Sequence, residues 1–159
     1  MLDNFDKNYW MKVAINEAAK AYQLGEVPVG AVIILDNQII GRGYNQTEKL
    51  KDPTAHAEIL AITSACEAVG DWRLDGAELY CTLEPCSMCA GAAVLARIKK
   101  IIYGPPDPKF GACESIFKIP TNPRLNHRIE IESGIMADEI SEMMKSFFRE
   151  IRTAKGKTN

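Results

Sequence analysis

No apolar run in this 159-residue chain approaches the length that spans a membrane. The acidic N-terminus, MLDNFDKNYW, is not followed by the apolar stretch of a secretory leader. A cytoplasmic protein without membrane contact is therefore the expectation. A disulfide framework is equally unpromising, because five cysteines is an odd number, unevenly spaced, in a chain long enough to bury a core. There is no internal repeat and no interdomain linker, so a single domain over 1–153 with a short frayed tail over 154–159 is expected. Net charge is also nearly absent: 19 Lys/Arg against 21 Asp/Glu leave −2, which excludes a general polyanion binder. That balance is uneven, with −6 over residues 1–92 and +4 over 93–159. The second half can offer a local basic surface to phosphates, or the surface is merely lopsided. Histidine is scarce, only His56 and His127, which narrows any search for metal ligands.

What the chain does have is concentrated in Cys81 to Ala92, CTLEPCSMCAGA. This reads as the end of a strand, a tight Pro turn and the first turns of a helix. Around it, helical spacing of Trp10, Val13/Ala14, Ala18, Ala21 and Leu24 predicts a helix over 6–24, closed by Gly25. A nearly unbroken apolar strand over 29–35, a turn at Asp36-Asn37 and a returning strand over 38–44 form a hairpin. A polar loop over 45–53 leads to Thr54, a candidate N-cap or first-turn residue, and a helix to about Val69. Strands over 79–83 and 100–104 flank a small-residue helix over 86–96, which implies a crossover with parallel pairing. The prolines from Pro105 to Pro108 open a long loop over 105–127 with one helical turn near 115–118. A short strand over 128–132 and a helix over 136–152 complete a three-layer α/β/α sandwich around a five-stranded mixed sheet.

Cys86 and Cys89 stand three apart at a helix start, where free N–H groups favour thiolates. His56 stands early in another helix, two residues before Glu58. Zinc takes four ligands, and a catalytic zinc leaves one position to water. His56, Cys86 and Cys89 supply three, while Glu58 can reach beside the metal, take a proton from water and pass protons on to a ring nitrogen and a leaving amine. A lone CxxC is weak, being shared by redox pairs and structural zinc sites. His-x-Glu together with Pro-Cys-x-x-Cys at a strand-to-helix junction is far more specific. Two other readings stay open: a closed site with His127, Cys66, Cys81 or Cys113 as fourth ligand, and a redox pair. Cys66, Cys81 and Cys113 otherwise read as small packed side chains.

These residues resemble the bacterial tRNA-specific adenosine deaminases of the cytidine deaminase-like superfamily. The likeness covers nearly the whole chain. It runs through Glu26 to Val32, Gly43-Tyr44-Asn45, Asp52 to Ile59, Thr82 to Ala92, Asn126-His127-Arg128, Gly134 to Glu139 and Phe147-Phe148-Arg149. The resemblance implies a zinc-dependent homodimer, one Zn2+ per subunit, that converts adenosine to inosine at the wobble position of an arginine tRNA. The anticodon loop is held with its bases splayed out. It implies that Asn45 bonds the target base, that Val29 packs on it, and that the backbone of Ala57 and of Leu83, Glu84 and Pro85 orients the ring and leaving amine. It further implies that Asp107, Lys109 and Asn126 touch neighbouring nucleotides, and that Phe147, Phe148, Arg149 and Arg152 approach the flanking ones, with one Phe core and the other free to stack. Lys145, Lys155 and Lys157 are candidate phosphate contacts. A deaminase of free guanine, cytosine or a nucleoside is the alternative. The segment Pro105-Pro106, with Pro108, and the loop from Glu114 to Pro123 depart from the family pattern.

Overall fold

The computed structural model describes residues 6–156. Helix α1 (Lys7–Gln23) opens on Asp6, whose carboxylate accepts the Tyr9 N–H at 2.9 Å and caps the first turn. Strands β1 (Gly30–Leu35) and β2 (Gln38–Tyr44) form the expected hairpin. Asp36 and Asn37 both adopt positive φ, 50° and 61°, as a two-residue turn matched to strand twist requires. The loop after β2 is not wholly irregular, because it contains a short helix, α2 (Thr47–Leu50).

Helix α3 (Ala57–Val69) starts two residues later than a Thr54 cap would place it. Its N-cap is His56, and Thr54 instead donates its N–H and hydroxyl to Asp52 Oδ1 at 2.8 and 2.7 Å, a local turn that feeds the helix. Strand β3 (Glu78–Cys81) ends two residues early: the Thr82 N–H still reaches Gly30 O, but the Gly30 N–H goes to the Thr82 hydroxyl at 3.1 Å instead of its carbonyl, which breaks the ladder. Helix α4 (Ser87–Leu95), strand β4 (Lys100–Tyr103) and strand β5 (Glu130–Glu132) follow. No helical turn forms at 115–118; the segment is held by turn contacts such as Ile116 N–H to Gly111 O at 2.9 Å. Helix α5 (Ala137–Gly156) continues through residues 154–156, which the sequence reading assigned to a frayed tail; Lys157 lies outside the described residues.

The sheet order is β2-β1-β3-β4-β5. β1 is antiparallel to both neighbours, whereas β3, β4 and β5 run parallel. Alternate residues divide the sheet between two cores. Val32, Ile34, Tyr80 and Ile102 meet Trp10, Met11 and Ala14 of α1 and Ile140 of α5. Ala31, Ile33, Leu79, Cys81, Ile101 and Tyr103 meet Ala57, Ala61 and Ala65 of α3 and Ala93 and Val94 of α4. The result is the α/β/α sandwich, with the period of two along each strand sorting residues by face. Gly41 and Gly43 share the α3 side of β2. A Cβ on either would collide with the α3 backbone, at Ala61 O and Ala57 O respectively, so α3 lies directly on the strand. That contact carries the start of α3 to the end of β2, beside Asn45. Among the described residues no helix is long and apolar enough to cross a membrane.

Candidate active site and metal centre

The first turns of α3 and α4 meet where β3 ends and β1 begins. His56 and Cys86 are the two N-caps, both with extended backbone, at φ −77°, ψ 151° and φ −74°, ψ 176°. Cys89 follows one turn into α4 and is fully buried. His56 Nδ1 lies 3.5 Å from Cys86 Sγ and 3.6 Å from Cys89 Sγ. The three ligand atoms fall within 4.8 Å of one another. Zinc–sulfur and zinc–nitrogen bonds of about 2.3 and 2.05 Å, at a tetrahedral angle, put S and N about 3.6 Å apart. The donor set and its spacing therefore fit a tetrahedral zinc. Among the described residues no fourth His, Cys, Asp or Glu joins the cluster. His127 is far off, its Nε2 bonded to Ile98 O at 2.7 Å ahead of β4, and Cys66 faces Trp72 O. The closed structural site is thus disfavoured by position.

The protonation pattern of the bare ligands suits a metal. The Cys89 thiol, by donating to Cys86, holds the Cys86 thiol down to about 4 against its burial, and the His56 ring adds to this. Cys89 keeps its proton, pushed up first by that same bond and then by burial. The bond to Cys86 raises the pKa of His56 although burial opposes it. A bound metal would displace the remaining protons, with His56, Cys86 and Cys89 as its ligands. Glu58, the second residue of α3, is 4% exposed, and burial pushes its carboxyl above the ordinary carboxylate value.

Above these groups opens a cavity of about 420 Å³. Val29, Asn45, His56, Ala57, Glu58, Leu83, Glu84, Cys86 and Asp107, all singled out from sequence, line it. Val27, Thr47, Ser87 and Phe110 line it too and were missed. Thr47 and Phe110 carry no local signal, since α2 and the 105–127 loop place them. A larger cleft of about 690 Å³ beside Trp10, Asp36 and Tyr80 lies at the other end of the sheet and holds none of the ligands. Asn45 is 8% exposed; its Nδ2 donates to Val27 O at 3.2 Å, while its Oδ1 has no partner in the protein. A buried, unpaired acceptor at a cavity wall is costly unless a guest supplies a donor.

Two further carboxylates frame the cavity. Glu26, 1% exposed, accepts the Lys49 N–H at 2.6 Å and the Glu48 N–H at 3.2 Å, capping α2 from outside and fixing Thr47. Burial works to raise the Glu84 pKa, but the Ser115 hydroxyl and the N–H groups of 107, 114 and 115 more than offset it, leaving it low. Pro85 does not line the cavity; its carbonyl accepts the Ala112 N–H at 2.9 Å.

The C-terminal residues form a separate basic groove of about 510 Å³, lined by Lys109, Met144, Lys145, Phe148, Arg149 and Arg152. Phe148 is 41% exposed there. Phe147, expected among the nucleotide-contacting residues, is instead buried. Its ring packs edge-on against Tyr22 of α1, centroids 5.5 Å apart, so packing rather than exposure accounts for it. Asn126 is exposed and stands near the start of β4, away from the cavity.

A family model for MafB19-like deaminases matches residues 5–152. The tRNA-specific adenosine deaminase of Bacillus subtilis (strain 168) is 48% identical over 146 residues, 92% of this chain and 91% of that protein. The chain belongs to the bacterial tRNA-specific adenosine deaminase family, within the cytidine deaminase-like superfamily. It is a hydrolytic deaminase with a His/Cys/Cys cluster able to hold a metal ion. A solved structure from work on A-to-I editing by tRNA:A34 deaminases at the wobble position of transfer RNA superposes with a TM-score of 0.83 at 47% identity, over 86% of this chain and 99% of that one. A guanine deaminase from Nitrosomonas europaea superposes at 0.74 but at 20% identity, over 89% and 84%, a likeness of fold alone.

Proposed function

We propose that this deaminase converts adenosine to inosine at the wobble position of a tRNA, an arginine tRNA, as a cytoplasmic zinc-dependent homodimer. The observation that carries the reading is the open tripod: three ligand atoms at tetrahedral spacing, with a buried Glu58 and a base-sized cavity on the same side. Zinc held by His56, Cys86 and Cys89 supplies the Lewis acidity that lets a water lose a proton near neutral pH. Glu58 takes that proton and hands it to N1 as the water oxygen bonds to C6 of the purine; it then takes the proton left on that oxygen and delivers it to the exocyclic nitrogen. The C6–N6 bond then breaks, releasing ammonia and leaving inosine. Burial favours this role, because a desolvated carboxylate accepts a proton readily. Val29 packs on the base, and the backbone of Ala57, Leu83 and Glu84 orients it. Asn45 offers an acceptor in its unpartnered Oδ1, held in place by the bond from its Nδ2 to Val27 O; an exocyclic amine or ribose hydroxyl supplies the matching donor.

A target inside an anticodon loop must be extracted from its neighbours, and those need somewhere to go. The basic groove supports that requirement: Phe148 offers a stacking face, and Lys109, Lys145, Arg149 and Arg152 offer phosphate contacts outside the cavity. A free-base deaminase has no use for such a groove. Asp107 meets the ribose nearest the cavity, and Asn126 serves a more remote nucleotide. Exposed apolar side chains at Leu95, Phe110, Ile116 and Phe117 support pairing of two copies. Incubation of the zinc-loaded protein with total tRNA, followed by sequencing of every A-to-I change, tests the reading. A single edited wobble adenosine in tRNA-Arg is expected. Ammonia release from free guanine, cytosine or nucleosides without tRNA editing would overturn it, and a monomer by sedimentation would overturn the dimer.

A further inference from the structure

One buried carboxylate at the cavity wall is not used by the deamination chemistry. Glu84 is 3% exposed and accepts hydrogen bonds on both oxygens. Oε1 receives the Asp107 N–H at 3.0 Å and the Ser115 hydroxyl at 2.5 Å. Oε2 receives the N–H groups of Cys113 at 3.1 Å, Glu114 at 3.0 Å and Ser115 at 3.0 Å. The donors span residues 107–115, so one side chain gathers both ends of this segment. The middle is drawn in as closely: Gly111 forms an isolated bridge with Cys86, and a Cβ at Gly111 would strike the Glu84 carboxyl and Asp107 O. Asp107 in turn bonds the N–H groups of Lys109 and Phe110 through its Oδ1, at 3.0 and 3.3 Å, fixing the turn that carries Phe110 to the cavity.

We propose that Glu84 is a positioning residue whose carboxylate clasps residues 107–115 to the end of β3 and so holds Asp107 and Phe110 where the entering nucleotide meets the cavity wall. The proposal rests on the reading of that cavity as the tRNA deaminase site. The two oxygens have different duties, and a carboxamide separates them. With its oxygen in the place of Oε2, a glutamine keeps the three N–H groups of 113–115. Its NH2 then meets the Ser115 hydroxyl, which can turn to accept, and the Asp107 N–H, which cannot. Glu84→Gln thus loosens the 107 end alone. Ser115→Ala removes one hydroxyl and leaves every backbone donor satisfied.

The test uses full-length, zinc-loaded protein and an anticodon stem-loop RNA. For Glu84→Gln, KM rises about tenfold, the loss expected from one buried donor left unpaired, while kcat stays within about twofold and zinc content is unchanged. Ser115→Ala changes KM by less than about twofold. Amide hydrogen exchange in Glu84→Gln speeds up at Asp107 and not at Glu114. A residue that merely supported the fold would lower the melting temperature and zinc content and leave KM of the folded fraction as in wild type, which overturns the proposal. Should Glu84→Gln fail to fold, Gly111→Ala presses on the clasp from the other side; a raised KM is expected, and an unchanged one overturns it. Wild-type protein inactive on the stem-loop would sink the tRNA reading instead. The exchange measurement would still decide the clasp, since equal exchange at Asp107 in both proteins refutes it.

Discussion

Replacement of Glu58 by Gln keeps the shape of the side chain and removes only its capacity to carry a proton back and forth. Glu58 is 4% exposed, so no bulk water stands ready to replace the carboxylate; of the groups beside it, His56, Cys86 and Cys89 are the candidate metal ligands, and the buried Cys81 thiol, pushed well above the ordinary thiol value, keeps its proton. The whole proton itinerary, from water to ring nitrogen to leaving amine, then has no carrier. A positioned general acid–base contributes about 100- to 10,000-fold, and here one group serves both directions, which places the loss at about 1,000-fold or more in kcat, about 4 kcal/mol of barrier. Single-turnover inosine formation in an anticodon stem-loop, with the RNA saturating, isolates that step. Zinc per chain and RNA affinity should match wild type, because Glu58 is not a ligand and its volume is conserved. A residual kcat within tenfold of wild type would refute the shuttle. Loss of zinc alongside loss of rate would show instead that Glu58 holds the metal.

The Cys86 thiol, held down to about 4, is a thiolate at neutral pH in metal-stripped protein. Iodoacetamide should therefore label Cys86 first, at a rate nearly flat from pH 8 to pH 5 and falling only as the pH drops through about 4; zinc should block the labelling, and mass spectrometry of peptides reads both effects. Gly43→Ala drives a methyl group into the α3 backbone at Ala57 and should cost about 1–3 kcal/mol by urea unfolding, with weakened zinc retention because His56 adjoins that turn. The paired phenylalanines should separate cleanly. Phe147→Ala, in the α1–α5 core, loses about 3–5 kcal/mol of stability, whereas Phe148→Ala leaves stability nearly unchanged and weakens stem-loop binding by about 1–3 kcal/mol.

The metal tripod was legible in the sequence because its information is local. Cys86 and Cys89 are separated by one helical turn, and His56 and Glu58 by a cap and one residue, so short spacings specify which groups share a side. The hairpin was legible for the same reason, with β2 found at 38–44 as expected from its turn residues. What stayed hidden depends on partners remote in the chain. The helix α2, sequence TEKL, has no apolar face to announce it, and is stabilised by a carboxylate from Glu26, about twenty residues upstream. Thr54 had a better cap composition than His56, yet the Asp52 turn claimed its hydroxyl. Periodicity could not tell Phe147 from Phe148, because adjacent residues on a helix differ by only 100° of rotation; Tyr22 on another helix makes the choice.

Glu84 shows why such remote features escape a reading by residue type. The donors it gathers are almost all backbone N–H groups, which every residue but proline possesses, so the identities of residues 107–115 say little about the clasp. From sequence, Glu84 was credited with its backbone alone. Two residues in the segment report the contact by type: Ser115 through its hydroxyl, and Gly111 through space, since a Cβ there would meet the carboxyl. The prolines at 105, 106 and 108 confine the approach to that segment, and a stiff approach held by the Glu84 carboxylate, the Gly111–Cys86 bridge and the Ala112 N–H to Pro85 O bond gives a loop of one shape despite its lack of regular structure. Chemistry at this site therefore rests on local spacing, while the shape of its entrance rests on a long-range carboxylate. The division predicts that substitutions at Glu58 act on kcat and those at Glu84 on KM.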